Sequence, residues 1–205
     1  MGTGLVGKTL GSIGLGNIGV EVFRLCAPLG MNFIAHDPYI DSTVAQSVNV
    51  ELKDLESVFR ESDFLTLNVP LSEETLHLAN AARLTLMKPT AYLINTSRGP
   101  VVDQTALVTA LTQGVIAGAG LDVFDPEPPQ ADDPLLQLDN VILTPHALCW
   151  TDQCFAGIGA QDLEHVFAVK NGQVPQALAD PTVADEPAFH LKLKHYRNCF
   201  ASQST

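Results

Sequence analysis

Six short apolar runs recur along the chain with helix-like segments between them, and this alternation constrains the fold more than any other feature. The runs are "TLGSIGLG" (9–16), "NFIAHD" (32–37), "DFLTLNVP" (63–70), "AYLINTS" (91–97), "VIAGAGLDVF" (115–124) and "NVILTPH" (140–146). A strand that is apolar along its whole length is buried on both faces, and parallel neighbours need a long crossover, usually a helix. The pattern implies an α/β protein: a doubly wound parallel sheet with helices on both faces. Helical spacing runs through Ile18, Val22 and Leu25 in "NIGVEVFRLCAPLG" and through Leu52, Leu55, Val58 and Phe59 in "ELKDLESVFRES". A further helix, "VVDQTALVTALTQG", closes on Gly114. The last long one, about 151–171, starts near Thr151 and stops at "NG", with Phe155, Ile158, Leu163, Val166 and Phe167 apolar. The pattern holds to about residue 180, so one domain is expected over 1–180. Residues 181–205 read as a tail or a link to another unit.

The formal net charge of −12 argues against nucleic acid or an anionic membrane surface as a partner. No Lys or Arg lies between Arg98 and Lys170, while ten acidic residues fall in that gap. If Arg98 lies in a cleft, an anion drawn there depends on that guanidinium and on backbone amides. Cys26, Cys149, Cys154 and Cys199 form no CxxC and no zinc spacing, so they read as reduced thiols in a cytoplasmic protein. No metal site is expected, and no window approaches a membrane span.

Two stretches match phosphate-binding patterns. Residues 2 to 9, "GTGLVGKT", satisfy G-x-x-x-x-G-K-[ST], but that loop must follow a strand and open a helix, whereas this match runs into a strand. The second, "GLGNIG", supplies Gly14, Gly16 and Gly19 in the order strand, glycines, helix. Gly14 makes the tight turn, Gly16 lets a pyrophosphate approach the backbone, and Gly19 lets the helix sit close to the sheet. The phosphates would lie at the helix N-terminus, where unpaired amides favour anions. Asp37 follows Gly19 by eighteen residues, at the end of the second run. A carboxylate there accepts hydrogen bonds from ribose hydroxyls and repels a 2′-phosphate, which favours NAD over NADP. The plainer alternative is an aspartate that caps the turn "HDPY".

From "GKTLGSIGLGNIG" to about residue 180 the chain resembles the NAD-binding domain of the D-isomer-specific 2-hydroxyacid dehydrogenases, a Rossmann-type fold. The resemblance rests on six ordered blocks: "GLGNIG", "HDPY", "LNVPLSEET", "LMKPTAYLINTSRGPVVDQTALVTAL", "GAGLDVFDPEPP" and "DNVILTPH". It implies cofactor contacts at Asn17 and Ile18 for the phosphates and at Asp37 for the ribose. It also implies Val69 and Pro70 on the adenine side, with Thr96, Ser97 and Asp122 facing the nicotinamide half. Asp122 would hold the carboxamide. The catalytic set carries over to Arg98, Glu127 and His146.

Those residue types suit the reduction of a 2-oxo acid to a 2-hydroxy acid. His146 suits proton transfer because imidazole titrates near working pH. Glu127 would bond the other ring nitrogen, and the planar fork of Arg98 grips carboxylate and carbonyl oxygens together. Each has a plainer reading: a surface cation, one acid among many, a strand-end histidine.

The family carries a substrate-binding segment, and an arm that pairs subunits, ahead of the part matched here. The resemblance thus implies half an active site, from a truncated or lone domain, and leaves a homodimer possible. Two functions compete. One is an NAD-dependent oxidoreductase on the CH–OH group of small D-2-hydroxy acids. The other is an NAD(H)-binding module without turnover. After His146 relatives often have glycines; Ala147, Leu148, Cys149 and Trp150 here either narrow the site or mark a subgroup.

Overall fold

A computed structural model describes residue 2 and residues 4–201. In chain order the regular elements are β1 (Thr9–Ile13), α1 (Asn17–Cys26), β2 (Asn32–His36), α2 (Ser42–Ser47), β3 (Glu51–Leu52), α3 (Leu55–Glu61) and β4 (Phe64–Leu67). There follow α4 (Ala81–Leu84), β5 (Tyr92–Asn95), α5 (Gln104–Thr112), β6 (Gly118–Leu121), β7 (Val141–Leu143), α6 (Asp152–Lys170) and α7 (Pro187–Ala201). Among the described residues the strands form one parallel sheet in the order β3-β2-β1-β4-β5-β6-β7. This is the Rossmann order, extended by one strand.

Side chains alternate across the sheet, and the core divides accordingly. On β2, Phe33 and Ala35 pack with Phe23 of α1 and Ala45 of α2, while Ile34 between them joins Val58 and Phe59 of α3. The Phe23 and Phe33 rings lie 5.1 Å apart. Helices therefore cover both faces, as the apolar strands require.

Two helices differ in detail from the expected ones. The buried face of α1 carries Gly19 and Phe23, whereas Ile18 and Leu25 are 68% and 69% exposed. The stripe one residue further on makes the same helical spacing, but begins at a glycine where the helix lies close to the sheet. The expected helix over 51–62 is shorter: Glu51 and Leu52 pair with Ile34 and Ala35 as an edge strand, and Asp54 caps α3 by accepting from the Ser57 amide.

The chain divides into two compact units, Met1–Ala147 and Leu148–Thr205. The division falls after Ala147, and the stretch read as a tail contains α7. In the second unit α6 packs against α7, whose Leu193 is buried. Phe155, Ile158, Leu163, Val166 and Phe167 of α6 are each more than half exposed, so spacing alone did not mark a core-facing stripe.

Candidate active site

Parallel strands bring all their C-terminal loops to one edge, and the sheet order reverses direction between β1 and β4. Grooves for ligands form at such points. Here β1 ends in Gly14, whose φ of +91° suits glycine and whose amide donates to the His36 carbonyl at 2.9 Å. A Cβ on Gly14 would stand 2.4 Å from the Asn68 carbonyl oxygen, and one on Gly19 would stand 2.6 Å from that of Gly14. Both glycines are needed for backbone to lie this close.

Helices α2 to α6 each begin at a residue whose side chain accepts a first-turn amide: Asp41, Asp54, Asn80, Asp103 and Thr151. Helix α1 begins at Gly16 with no side-chain cap. Its first residues line a groove, and beyond its own chain neighbours no atom stands within 4 Å of where a Gly16 Cβ would be. An uncapped start of this kind favours an anion.

Two adjoining cavities make up the groove. One, of about 640 Å³, is lined by Gly16, Asn17, Ile18, Val69, Pro70, Thr96, Ser97 and Arg98. The other, of about 380 Å³, is lined by Gly14, Gly16, Asp37, Tyr39, Val69, Pro70 and Glu74, among others. Gly16, Val69 and Pro70 belong to both, and Gly19 sits behind them. The structure thus gathers most of the expected cofactor-side residues along one groove. Asp122, Glu127 and His146 do not line either cavity; they stand at the ends of the neighbouring strands.

Asp37 does more than the sequence suggested. Its Oδ2 accepts from the Leu15 amide at 2.8 Å and its Oδ1 from the Tyr39 amide at 3.0 Å, so it ties the glycine turn to β2. Tyr39 in turn donates its hydroxyl to Glu74 at 2.8 Å across the smaller cavity. That hydrogen bond, with the nearby negative charge, holds the Tyr39 phenol above its ordinary range. Neither Tyr39 nor Glu74 was singled out from the sequence, although both lie in quoted blocks.

Arg98 sits on the loop after β5. Buried Asn95 organises that loop: its Oδ1 accepts from the Ser97 amide and hydroxyl at 3.1 and 2.8 Å, and its Nδ2 donates to the Arg98 carbonyl at 2.9 Å. A polar residue closing the apolar run "YLIN" was the available signal. The guanidinium is exposed and donates to the Ser97 carbonyl at 2.6 Å. Next to it, a Cβ on Gly99 would overlap the Phe124 carbonyl oxygen, so this loop lies directly against the one after β6.

On that second loop Glu127 meets the histidine. Its Oε1 is hydrogen-bonded to His146 Nδ1, and its Oε2 accepts from the Phe124 amide at 3.3 Å. A carboxylate that is ionised only accepts, and with one here the proton of this bond sits on Nδ1 and Nε2 keeps its lone pair or a second proton. Both side chains are partly open to solvent, at 42% and 37%. His146 itself has φ 54°, in the left-handed region. Such backbone costs on the order of 1–3 kcal/mol and persists only where its surroundings hold it. A proton carrier braced on one nitrogen and accessible at the other is the chemical capacity of this arrangement.

The "GTGLVGKT" match is not part of it. Lys8 lies at the opposite edge of the sheet, its Nζ 3.6 Å from Asp63 Oδ1; Thr3 of that match lies outside the described residues. Among the described residues no helix is long and apolar enough to cross a membrane.

Residues 1–147 match the profile of the D-isomer specific 2-hydroxyacid dehydrogenase NAD binding domain. The chain belongs to this family. It is 44% identical over 183 residues to the glyoxylate reductase of Korarchaeum cryptofilum, covering 89% of this chain and 55% of that protein. It is 42% identical over 193 residues to the D-3-phosphoglycerate dehydrogenase of Methanocaldococcus jannaschii, covering 93% and 37%. Among solved structures it matches the NAD complexed form of the D-isomer specific 2-hydroxyacid dehydrogenase of Lactobacillus delbrueckii ssp. bulgaricus. That match has a TM-score of 0.80 and 30% identity, and covers 88% of this chain and 58% of the other. The chain spans about half the length of the curated relatives it matches. The matched domain ends at Ala147, where the structure also divides, so a D-2-hydroxyacid dehydrogenase NAD-binding domain holds every site residue named above.

Proposed function

We propose that this chain is the cofactor-binding and catalytic half of an NAD-dependent oxidoreductase that interconverts small 2-oxo acids and D-2-hydroxy acids. The observation that carries the reading is the Glu127–His146 hydrogen bond at the same sheet edge as an uncapped glycine turn and Arg98. NAD, when bound, supplies or accepts the hydride at the substrate carbon. The residues that would hold it are the amides at the start of α1, with Asn17 and Ile18, for the pyrophosphate, and Asp37 for the adenosine ribose. Val69 and Pro70 serve the adenine side; Thr96, Ser97 and Asp122 serve the nicotinamide half.

His146 gives a proton from Nε2 to the substrate carbonyl oxygen, and takes the hydroxyl proton in the other direction. Glu127 keeps Nδ1 protonated, which fixes the ring's orientation and stabilises the cation when both nitrogens are protonated. Arg98 offers paired donors to the substrate carboxylate and carbonyl. Arg98 lines the larger cavity and brings a positive charge to it.

The test is an NADH titration by fluorescence, with turnover on glyoxylate, hydroxypyruvate and pyruvate. His146→Ala is expected to lower turnover by about 10²- to 10⁴-fold, the usual range for a general acid–base group, while NADH binding is unchanged. Turnover that survives the substitution rejects the mechanism. NADH binding without turnover on any 2-oxo acid, when the chain is joined to the substrate-binding segment of a relative, rejects it in favour of a binding module.

A further inference from the structure

The ring of His146 is braced by Glu127, but what holds its left-handed backbone lies one strand away. Asp122 stands just beyond β6 and is 4% exposed. Its Oδ1 accepts from the Thr144 hydroxyl at 2.6 Å and from the Ala147 amide at 3.0 Å. These two donors bracket Pro145 and His146. Thr144 is fixed a second time, its amide donating to the Leu121 carbonyl at 3.0 Å.

We propose that Asp122 is the positioning residue of the catalytic histidine: one buried oxygen staples the backbone on both sides of His146, so that Nδ1 meets Glu127. This rests on the reading of His146 as proton carrier, and gives Asp122 a task separate from holding the nicotinamide. A short staple suits it. Four residues are clamped at their ends, and the left-handed turn at φ 54° lies inside the clamp. These two bonds use Oδ1 as an acceptor, which an asparagine oxygen can also supply.

Three variants test this: Asp122→Ala, which removes the acceptor; Asp122→Asn, which keeps it; and Thr144→Val, which removes one donor and leaves the carboxylate. Far-UV circular dichroism checks folding, and long-range ¹H–¹⁵N spectra report the His146 tautomer. In the wild type one neutral tautomer, protonated at Nδ1, is expected. Asp122→Ala should replace it with a mixture and shift the Ala147 amide signal, while Asp122→Asn restores both. With a 2-oxo acid substrate, kcat should fall on the order of 10²-fold in Asp122→Ala, the scale of a small misplacement of a reacting group; NADH affinity falls with it where Asp122 also holds the nicotinamide, whereas in Thr144→Val, which leaves the carboxylate in place, NADH affinity should change less than about threefold. Thr144→Val should give the same changes in smaller degree, and it decides the matter if Asp122→Ala does not fold. An unaltered His146 spectrum in Asp122→Ala, or in Thr144→Val where that variant decides, overturns the proposal. So does an Asp122→Asn spectrum that matches Asp122→Ala. Weakened NADH binding with the histidine spectrum intact would assign Asp122 to the cofactor alone. If His146→Ala retains turnover, the proton-carrier role fails while the spectra still report whether the staple exists.

Discussion

The two ends of the sheet are built to opposite rules. At the N-terminal end, Asp63 gathers three donors: the Thr9 amide at 2.9 Å, Lys88 at 3.1 Å and Lys8 at 3.6 Å. Its side chain is 12% exposed, and the cluster joins the start of β1 to the turns before β4 and β5. At the C-terminal end the helix start after β1 has no side-chain cap, Arg98 is exposed, and Glu127 and His146 are partly so. Charges that satisfy one another serve stability; groups held in place by buried neighbours such as Asn95 and Asp122 are the ones the proposed function assigns to a ligand. Both ends are made from the same strands, so substitutions can separate the two tasks.

The largest expected effect is at the functional end. Gly14→Ala places a methyl group against the Asn68 carbonyl and forces φ +91° on an alanine. It should destabilise the first unit by about 3 kcal/mol or more, and reduce NADH affinity over tenfold in whatever protein remains folded. Urea denaturation and fluorescence titration measure the two losses. Normal stability with normal binding would mean the turn is not held as described.

Asp63→Ala is the converse. It should lose about 1–3 kcal/mol by leaving the Thr9 amide without its acceptor, and leave NADH binding alone. The pH dependence has a definite sign. Burial opposes the charged form of Asp63, but the Thr9 amide, Lys88 and Lys8 together outweigh it and hold the carboxyl below its ordinary range. A group with a lowered folded pKa stabilises the fold fully above its unfolded pKa, about 3.9, and ceases to do so as pH falls through the folded value. Wild type and Asp63→Ala should therefore differ in urea midpoint at pH 6, with the gap beginning to narrow only as pH falls below about 4. A gap that persists unchanged at low pH would show that the carboxylate's charge is not what matters there.

How far this contrast was legible beforehand depends on the kind of signal. Apolar runs announce themselves, and so β1, β2, β4, β5, β6 and β7 were readable, although β7 at the sheet edge is not buried on both faces as expected, its Ile142 being 74% exposed. Strand β3 was not, because both Glu51 and Leu52 are exposed and only backbone pairing with β2 makes them a strand. In "NIGVEVFRLC" the stripes through Ile18 and through Gly19 have the same helical spacing, and hydrophobicity favours the wrong one. Periodicity cannot see that a glycine lies against the sheet. At the candidate site, the ordered blocks nominated Arg98, Glu127, His146 and Asp37; the structure puts Glu127 beside His146 and lines the groove with Arg98 and Asp37. The partners of Asp122 were hidden because Thr144 and Ala147 come from a different strand's loop, and only register brings them together. Tyr39 and Glu74 were hidden for the same reason, being thirty-five residues apart.

Asp37 is the residue where the two rules meet, and its substitution has the smallest and most specific expected effect. The smaller cavity is lined by two acids, Asp37 and Glu74, and by no Lys or Arg. A 2′-phosphate placed there meets two acids, with His36 as the one basic side chain among the described lining residues. Removing one like-charge contact near a surface is worth about 1–2 kcal/mol, so Asp37→Ala should narrow the ratio of NADPH to NADH dissociation constants by about tenfold. Because Glu74 remains, the preference should shrink without reversing, and Asp37→Ala with Glu74→Gln should narrow it further. NADH binding itself should weaken by a few-fold, since the Leu15 amide loses its acceptor and the glycine turn its tie to β2. Parallel titrations with both cofactors read the ratio directly. A wild type that already prefers NADPH, or a ratio indifferent to Asp37, would show that this acid only ties the turn and takes no part in choosing the cofactor.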